Sequence, residues 1–303
     1  MADRVQLRNF WASLASDQVF VERYKAYFAA LLEGFVPAHC HTVEVWSVFG
    51  PPLTPEQRQP GVFYVHTSGE PFYHDPAAHD VSLVPDLRCA RRRIAPHTLA
   101  GNHWHVQYRY FPHAQRCFDG RPRGLPLDQR AFAAFVVTNG KPQQARVRFF
   151  HKLSRELKPV HSCGRYANNV GFTPPGGEGT EAYLDFLGQF KFVLCFENTQ
   201  QPWYMTEKIM NAYMAGCVPI YWGCPQARDI LNPGAFLCLQ DDGEAAMDDL
   251  VSRVRALDAD PAAWEAMHRT PLFLDGKLPT AFEMDTVRAH IRAVVEPHDT
   301  GLS

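Results

Sequence analysis

The sequence predicts an α/β protein made of two Rossmann-like domains facing a cleft, and three observations carry that expectation. The first is residues 190–223 (FKFVLCFENTQQPWYMTEKIMNAYMAGCVPIYWG), where strand, loop, helix and strand signals follow one another. The second is a polar stretch rich in Gly, Pro and Arg at 117–129 (CFDGRPRGLPLDQ), which separates an earlier set of α/β signals from a later one. The third is length: 303 residues without an internal repeat give each of two domains enough chain for its own core. The expected boundaries are 1–125 and 126–303, with the last helix free to return to the N-terminal domain.

Taken in order, a first strand precedes Phe20, Tyr24, Tyr27, Phe28, Leu31 and Leu32, whose helical spacing predicts a helix over 17–33. Strands over 43–49 and 61–66 follow, then an irregular region bearing Pro and His to about residue 113. The run AFAAFVVT at 131–138 opens the second unit, with helices over 145–157 and 180–188 on either side of a Gly/Pro-rich loop at 173–179. The apolar run Phe192–Phe196 is short enough for a buried strand of a parallel sheet. Thr206 is the predicted N-cap of the next helix and Gly216 its C-terminal cap, and 218–222 reads as the following strand. A strand at 236–239, a helix through Val251, Val254 and Leu257, and a last one through Phe282, Val287, Ile291 and Val294 complete the chain.

Composition narrows the class. Hydrophobic residues make up 46% and aromatics 13%, which places the chain among folded globular proteins. A net charge of −2 offers no bulk attraction for nucleic acid or an anionic membrane. The eight cysteines are scattered without a CxxC pair and read mostly as reduced, buried fillers. No apolar run approaches the roughly 20 residues of a membrane-spanning helix. The start, MADRVQLRNFW, lacks the apolar core of a signal peptide. A cytoplasmic protein is expected, peripheral at the inner membrane face if it meets a membrane at all.

In open α/β sheets ligands bind beyond the carboxyl ends of the strands, so the loop at 197–206 is expected to face the cleft. The helix start after Thr206 offers free N–H groups and a positive dipole end, which suits a phosphate. Lys208 sits in that first turn as a mobile cation, placed against its own helix dipole. Either it has an anionic partner or it is an exposed lysine at little cost. Gly176-Gly177-Glu178-Gly179 does not follow a strand and is no dinucleotide fingerprint. His39-x-His41 and His103-x-His105 lack further ligands, so no metal site is expected there.

The order CFENTQ, Tyr-x-Thr-Glu-Lys-Ile, then Val-Pro-Ile-Tyr-Trp-Gly resembles the donor-site motif of the α-1,3/4-fucosyltransferases, glycosyltransferase family 10. Weaker echoes are RVQLRNFW at 4–11, VWSVFGPP at 45–52, Thr67-Ser68-Gly69-Glu70, and the arginine-led helix at Arg146. Cys163-Gly164-Arg165 and Asn232-Pro233 fall where members carry similar groups. The resemblance implies GT-B architecture, with 1–125 as the acceptor-binding and 126–303 as the GDP-fucose-binding domain, and inverting transfer of L-fucose from GDP-β-L-fucose to O3 or O4 of a GlcNAc-containing glycan. It implies a bacterial, soluble type and no cofactor beyond the donor substrate. Glu70 is the implied catalytic base; Arg146, Asn198, Tyr204, Glu207 and Lys208 are the implied donor-binding residues. Arginine would grip the diphosphate bidentately and lysine as a point charge. Glu207 could take ribose or fucose hydroxyls, and Trp203 could stack on a ligand or close the loop. Each role has a plainer reading: a solvated Arg146, an Asn198 that satisfies loop amides, a first-turn charge at Glu207, a surface glutamate at 70. Transfer of another sugar, or an inactive glycan-binding protein, are the alternatives.

Overall fold

The structure is a computed structural model that describes residues 1–10, 18–70, 74, 78–83, 117–118, 124–138, 140–141, 144–202, 204–277, 279–280 and 283–295. Trp203, His103, His105 and parts of the 117–129 stretch lie outside the described residues. The chain forms two compact units. One contains Met1–Arg109, Pro202–Tyr204 and Thr280–Ser303; the other contains Tyr110–Gln201 and Met205–Pro279.

In the first unit, β1 (Val5–Arg8), β2 (Thr42–Trp46), β3 (Val62–Thr67) and β4 (Val81–Leu83) form a parallel sheet in the order β1-β2-β3-β4. Strand alternation turns Val5, Val43, Val45, Phe63 and Val65 to one face. There they pack on Phe20, Tyr24, Tyr27 and Phe28 of α1 (Gln18–Leu31). The other face carries Gln6, Arg8, Glu44, Trp46, Tyr64 and His66. Helix α8 (Met284–Val295) adds Val287 and Ile291 to the aromatic core. Its Arg288 donates to the carbonyls of Leu31 (3.1 Å) and Glu33 (2.7 Å), at the end of α1 where backbone acceptors lack helical partners.

In the second unit, β5 (Ala131–Phe135), β6 (His161–Ser162), β7 (Phe190–Phe196), β8 (Val218–Trp222) and β9 (Leu237–Cys238) are also parallel, in the order β6-β5-β7-β8-β9. One face packs on α2 (Ala145–Glu156), α6 (Glu244–Ala259) and Trp264 of α7 (Pro261–Arg269). Stacked pairs Phe135–Phe150 (4.8 Å) and Phe149–Phe196 (5.2 Å) bind α2 to the sheet. Helices α3 (Glu181–Leu187), α4 (Glu207–Met214) and the short α5 (Ala227–Ile230) complete the unit. Pro219 is tolerated inside a central strand because β9 begins opposite Ile220, so the missing N–H faces no partner strand. The seven described cysteines are free thiols, six of them buried. No helix among the described residues is long and apolar enough to cross a membrane.

Candidate functional site

The carboxyl ends of β7 and β8 and the start of α4 build the site, and a residue outside the expected set stands at its centre. Glu197 directly follows β7 and is fully buried. Its Oε1 accepts the backbone N–H of Thr206 (2.7 Å), and its Oε2 accepts the Thr206 hydroxyl (2.8 Å) and Lys208 Nζ (3.0 Å). Lys208 Nζ also donates to Thr206 Oγ1 at 2.9 Å. Burial raises the Glu197 carboxyl above the usual carboxylate range, and the opposing pull of Lys208 and the Thr206 bonds offsets only part of that rise.

This network makes two expectations more specific. Thr206 occupies the N-cap position of α4, but its side chain makes no cap hydrogen bond. The hydroxyl donates to Glu197, and its oxygen accepts from the Lys208 ammonium, a charge-assisted donor, in place of a backbone amide. Lys208 has its anionic partner within the protein, Glu197, and its side chain is about one-quarter exposed. The reason Glu197 fits lies across the sheet. Phe196 pairs with Trp222, so Glu197 lies beside Gly223, whose φ is +146°. A Cβ at Gly223 would stand 2.4 Å from Glu197 Cγ and 2.6 Å from its Cβ. The final glycine of the Ile-Tyr-Trp-Gly run therefore leaves the space that the Glu197 side-chain stem occupies. A carboxylate ending an apolar strand was the available signal in sequence, but only the register pairs it with that glycine.

Beside this network, Arg146 and Asn198 meet. Arg146 lies in the first turn of α2, is 6% exposed, and donates from Nη1 to Asn198 Oδ1 at 2.6 Å and from Nε to Gln144 Oε1 at 3.1 Å. A solvated Arg146 is thus not what the structure shows. Asn198 is itself exposed, at the rim. Glu207 is buried in the first turn of α4. Lys208, Glu197 and Glu207 thus stand at the N-terminus of α4, and Arg146, from the first turn of α2, reaches Asn198, the residue next to Glu197.

The other two expected residues belong to the first unit. Tyr204 is buried within the Pro202–Tyr204 segment. Glu70 follows β3 in a tight turn in which its N–H donates to Ser68 Oγ (3.1 Å) and Ser68 N–H donates to the Leu83 carbonyl (3.2 Å). Among its carboxylate neighbours in sequence, Asp80 accepts from Arg58 Nη2 and from Tyr64 N–H, both at 2.8 Å. Asp75 and Asp86 lie outside the described residues. The adjacent aspartates of the second unit pair with cations: Asp242 with Arg148, Asp248 with Lys152, Asp249 with Arg253.

Comparison with known proteins adds three findings. Residues 127–269 match the profile of "Glycosyltransferase family 10 (fucosyltransferase) C-term". An α-(1,3)-fucosyltransferase, FucT, of Helicobacter pylori is 30% identical over 218 residues, covering 68% of this chain and 41% of that protein. A human 3-galactosyl-N-acetylglucosaminide 4-α-L-fucosyltransferase is 34% identical over 158 residues, covering 50% of this chain and 41% of that protein. The chain thus spans about two-fifths of the length of these relatives. Crystal structures of an α1,3-fucosyltransferase with GDP-fucose and with GDP superpose with TM-scores of 0.65 and 0.63 at 22% identity, covering 97% of this chain and 90% of theirs. At that identity the likeness is one of fold, and the expected GT-B class of α/β protein is the one observed.

Proposed function

The chain belongs to glycosyltransferase family 10, the fucosyltransferases, and from that premise we propose that it transfers L-fucose from GDP-β-L-fucose to a glycan hydroxyl, with inversion. The observation that carries the proposal is the Glu197–Thr206–Lys208 network at the amino end of α4, beside the Arg146–Asn198 pair. Departure of GDP concentrates negative charge on the β-phosphate. Lys208, Arg146 and the N–H groups of α4 form an array that opposes that charge. Glu197 has two consequences for this array. It holds the ammonium at one place, so little side-chain entropy is left to lose on donor binding. It also neutralises that ammonium until a diphosphate competes for it.

In this reading Asn198, Tyr204 and Glu207 contact the donor, with Glu207 taking ribose or fucose hydroxyls. Glu70 removes the proton of the acceptor hydroxyl as that oxygen attacks the anomeric carbon opposite the leaving diphosphate. Inversion of a β-linked donor then yields an α-L-fucoside, at O3 or O4 of a GlcNAc unit. No metal is proposed, since in this reading the cations and the helix N-terminus oppose the charge of the leaving group. EDTA should accordingly change the rate by less than about tenfold.

The test is incubation with GDP-fucose and a panel of lactose, N-acetyllactosamine and lacto-N-biose, with product linkage read by NMR. An α-1,3- or α-1,4-fucoside supports the proposal. Transfer from a different nucleotide sugar, with GDP-fucose inert, replaces the donor; no transfer from any donor leaves a glycan-binding protein.

A further inference from the structure

One face of the first unit's sheet departs from what a parallel sheet presents. Parallel strands are ordinarily apolar on both faces because helices cover both. Here the register sets Gln6 beside Glu44, Glu44 beside Tyr64, and Arg8 beside Trp46. A row of polar and aromatic side chains therefore crosses the face opposite the aromatic core. Over it runs the β2–β3 connection, with the short turn Pro55–Gln57, leaving a cavity of about 680 Å³. That volume lies within the range of about 300–1,000 Å³ common to small-molecule sites.

The lining is ordered. Glu44 Oε1 accepts from Arg8 Nε (3.1 Å) and Nη2 (2.7 Å), and its Oε2 accepts the Trp46 indole N–H at 2.9 Å. Opposite, the Arg58 guanidinium lies 4.8 Å over the Tyr64 ring, held by Asp80 at 2.8 Å and the Ala78 carbonyl at 2.7 Å. Charge selects the class of ligand. The lining holds two cations, Arg8 and Arg58, and two carboxylates, Glu44 and Glu56, so it has no surplus charge for a phosphate or an acidic sugar. It has planar donors and acceptors that match vicinal hydroxyls, next to a half-buried indole that can take the C–H face of a ring.

We propose that this cavity is a saccharide subsite for a neutral sugar ring of the acceptor glycan. The word acceptor rests on the fucosyltransferase reading; the saccharide rests on the cavity alone. The experiment compares the parent with Arg8→Ala and Glu44→Gln, both checked for an unchanged melting temperature. Binding of N-acetyllactosamine and lacto-N-biose is measured without donor by saturation-transfer NMR, and GDP affinity by calorimetry. Acceptor KM, donor KM and kcat are then measured on the same proteins.

The variants should weaken saccharide binding and raise acceptor KM about tenfold or more, with GDP affinity, donor KM and kcat within about threefold of the parent. Should Arg8→Ala melt early, Glu44→Gln carries the test, since it keeps shape and removes only the charge. Saccharide affinity and acceptor KM unmoved in the folded variants would overturn the subsite even if fucose is transferred. If no fucose is transferred but saccharide binding depends on Arg8 and Glu44, the subsite stands and the activity falls. Tighter binding of inorganic phosphate than of the neutral saccharides would overturn the assignment of ligand class.

Discussion

At the residue scale the site is a set of charges whose partners are specific. Lys208 shares an oxygen of a buried carboxylate, and Arg146 is buried with Gln144 and Asn198 as acceptors. Lys208→Ala and Arg146→Ala should each weaken GDP binding by about 1.5–3 kcal/mol, the worth of a charge-assisted hydrogen bond. Calorimetry on the folded variants checks this, and unchanged affinity in both would remove the donor site from this helix N-terminus. Lys208→Ala carries a second effect, because it also leaves Glu197 buried without its cation. It should therefore melt earlier than Arg146→Ala. Glu70 calls for a different signature. Glu70→Gln should lower kcat by roughly 10²–10⁴ and leave GDP affinity nearly intact, since a base acts on the acceptor proton and not on the diphosphate. Turnover within a few-fold of the parent would show that another group takes the proton.

At the scale of elements, the junction of β7, β8 and α4 works as one part. Parallel pairing of Phe196 with Trp222 brings Glu197 against Gly223, and Glu197 in turn receives the N–H and hydroxyl of the residue that starts α4. Gly223→Ala should be destabilising by more than about 1 kcal/mol, because φ of +146° is costly for alanine and the new methyl meets the Glu197 side chain. It should also weaken GDP binding, since displacing Glu197 displaces Lys208. Thermal unfolding and calorimetry on this one variant check both; a stable variant with parental GDP affinity would show that the carboxylate does not hold the lysine in place.

At the scale of the whole molecule, acid stability depends on histidines kept neutral by burial. His66 of β3 is fully buried, with the rings of His79 and His74 at 5.0 and 6.0 Å. Burial, then the neighbouring His79, lowers its pKa to about 3. His268, stacked on Trp264 in the second unit, is lowered to about 4 by burial and then by Arg130. A depressed histidine stays neutral when folded and takes a proton when unfolded. Its stabilising contribution is complete above the unfolded pKa of 6.5 and is lost as pH falls toward the folded value. Each histidine should thus add up to about 1.4 kcal/mol per pH unit to the loss of stability below pH 6. His66→Phe should flatten the pH dependence of urea unfolding between pH 6 and 4; an unchanged slope would mean that His66 is already charged in the native state.

Much of this was legible in one dimension. Strand and helix signals over 131–138, 145–157, 180–188 and 218–222 each correspond to an observed element, because apolar periodicity reports directly on a buried face. The segment from Phe190 to Gly223 was legible as strand, loop, helix and strand because its signals follow one another closely along the chain. What only the tertiary structure decided depends on register and burial. Glu197 became the anchor of Lys208 because the β7–β8 pairing supplies Gly223 beside it, and Arg146 became a buried partner of Asn198 although 52 positions separate them. Arg8, Glu44, Trp46 and Tyr64 read as unrelated residues until four parallel strands set them side by side. Local sequence determines which elements form, since backbone and side-chain preferences act over a few residues. Which side chains share a site follows from strand order and register, and those are properties of the folded chain alone.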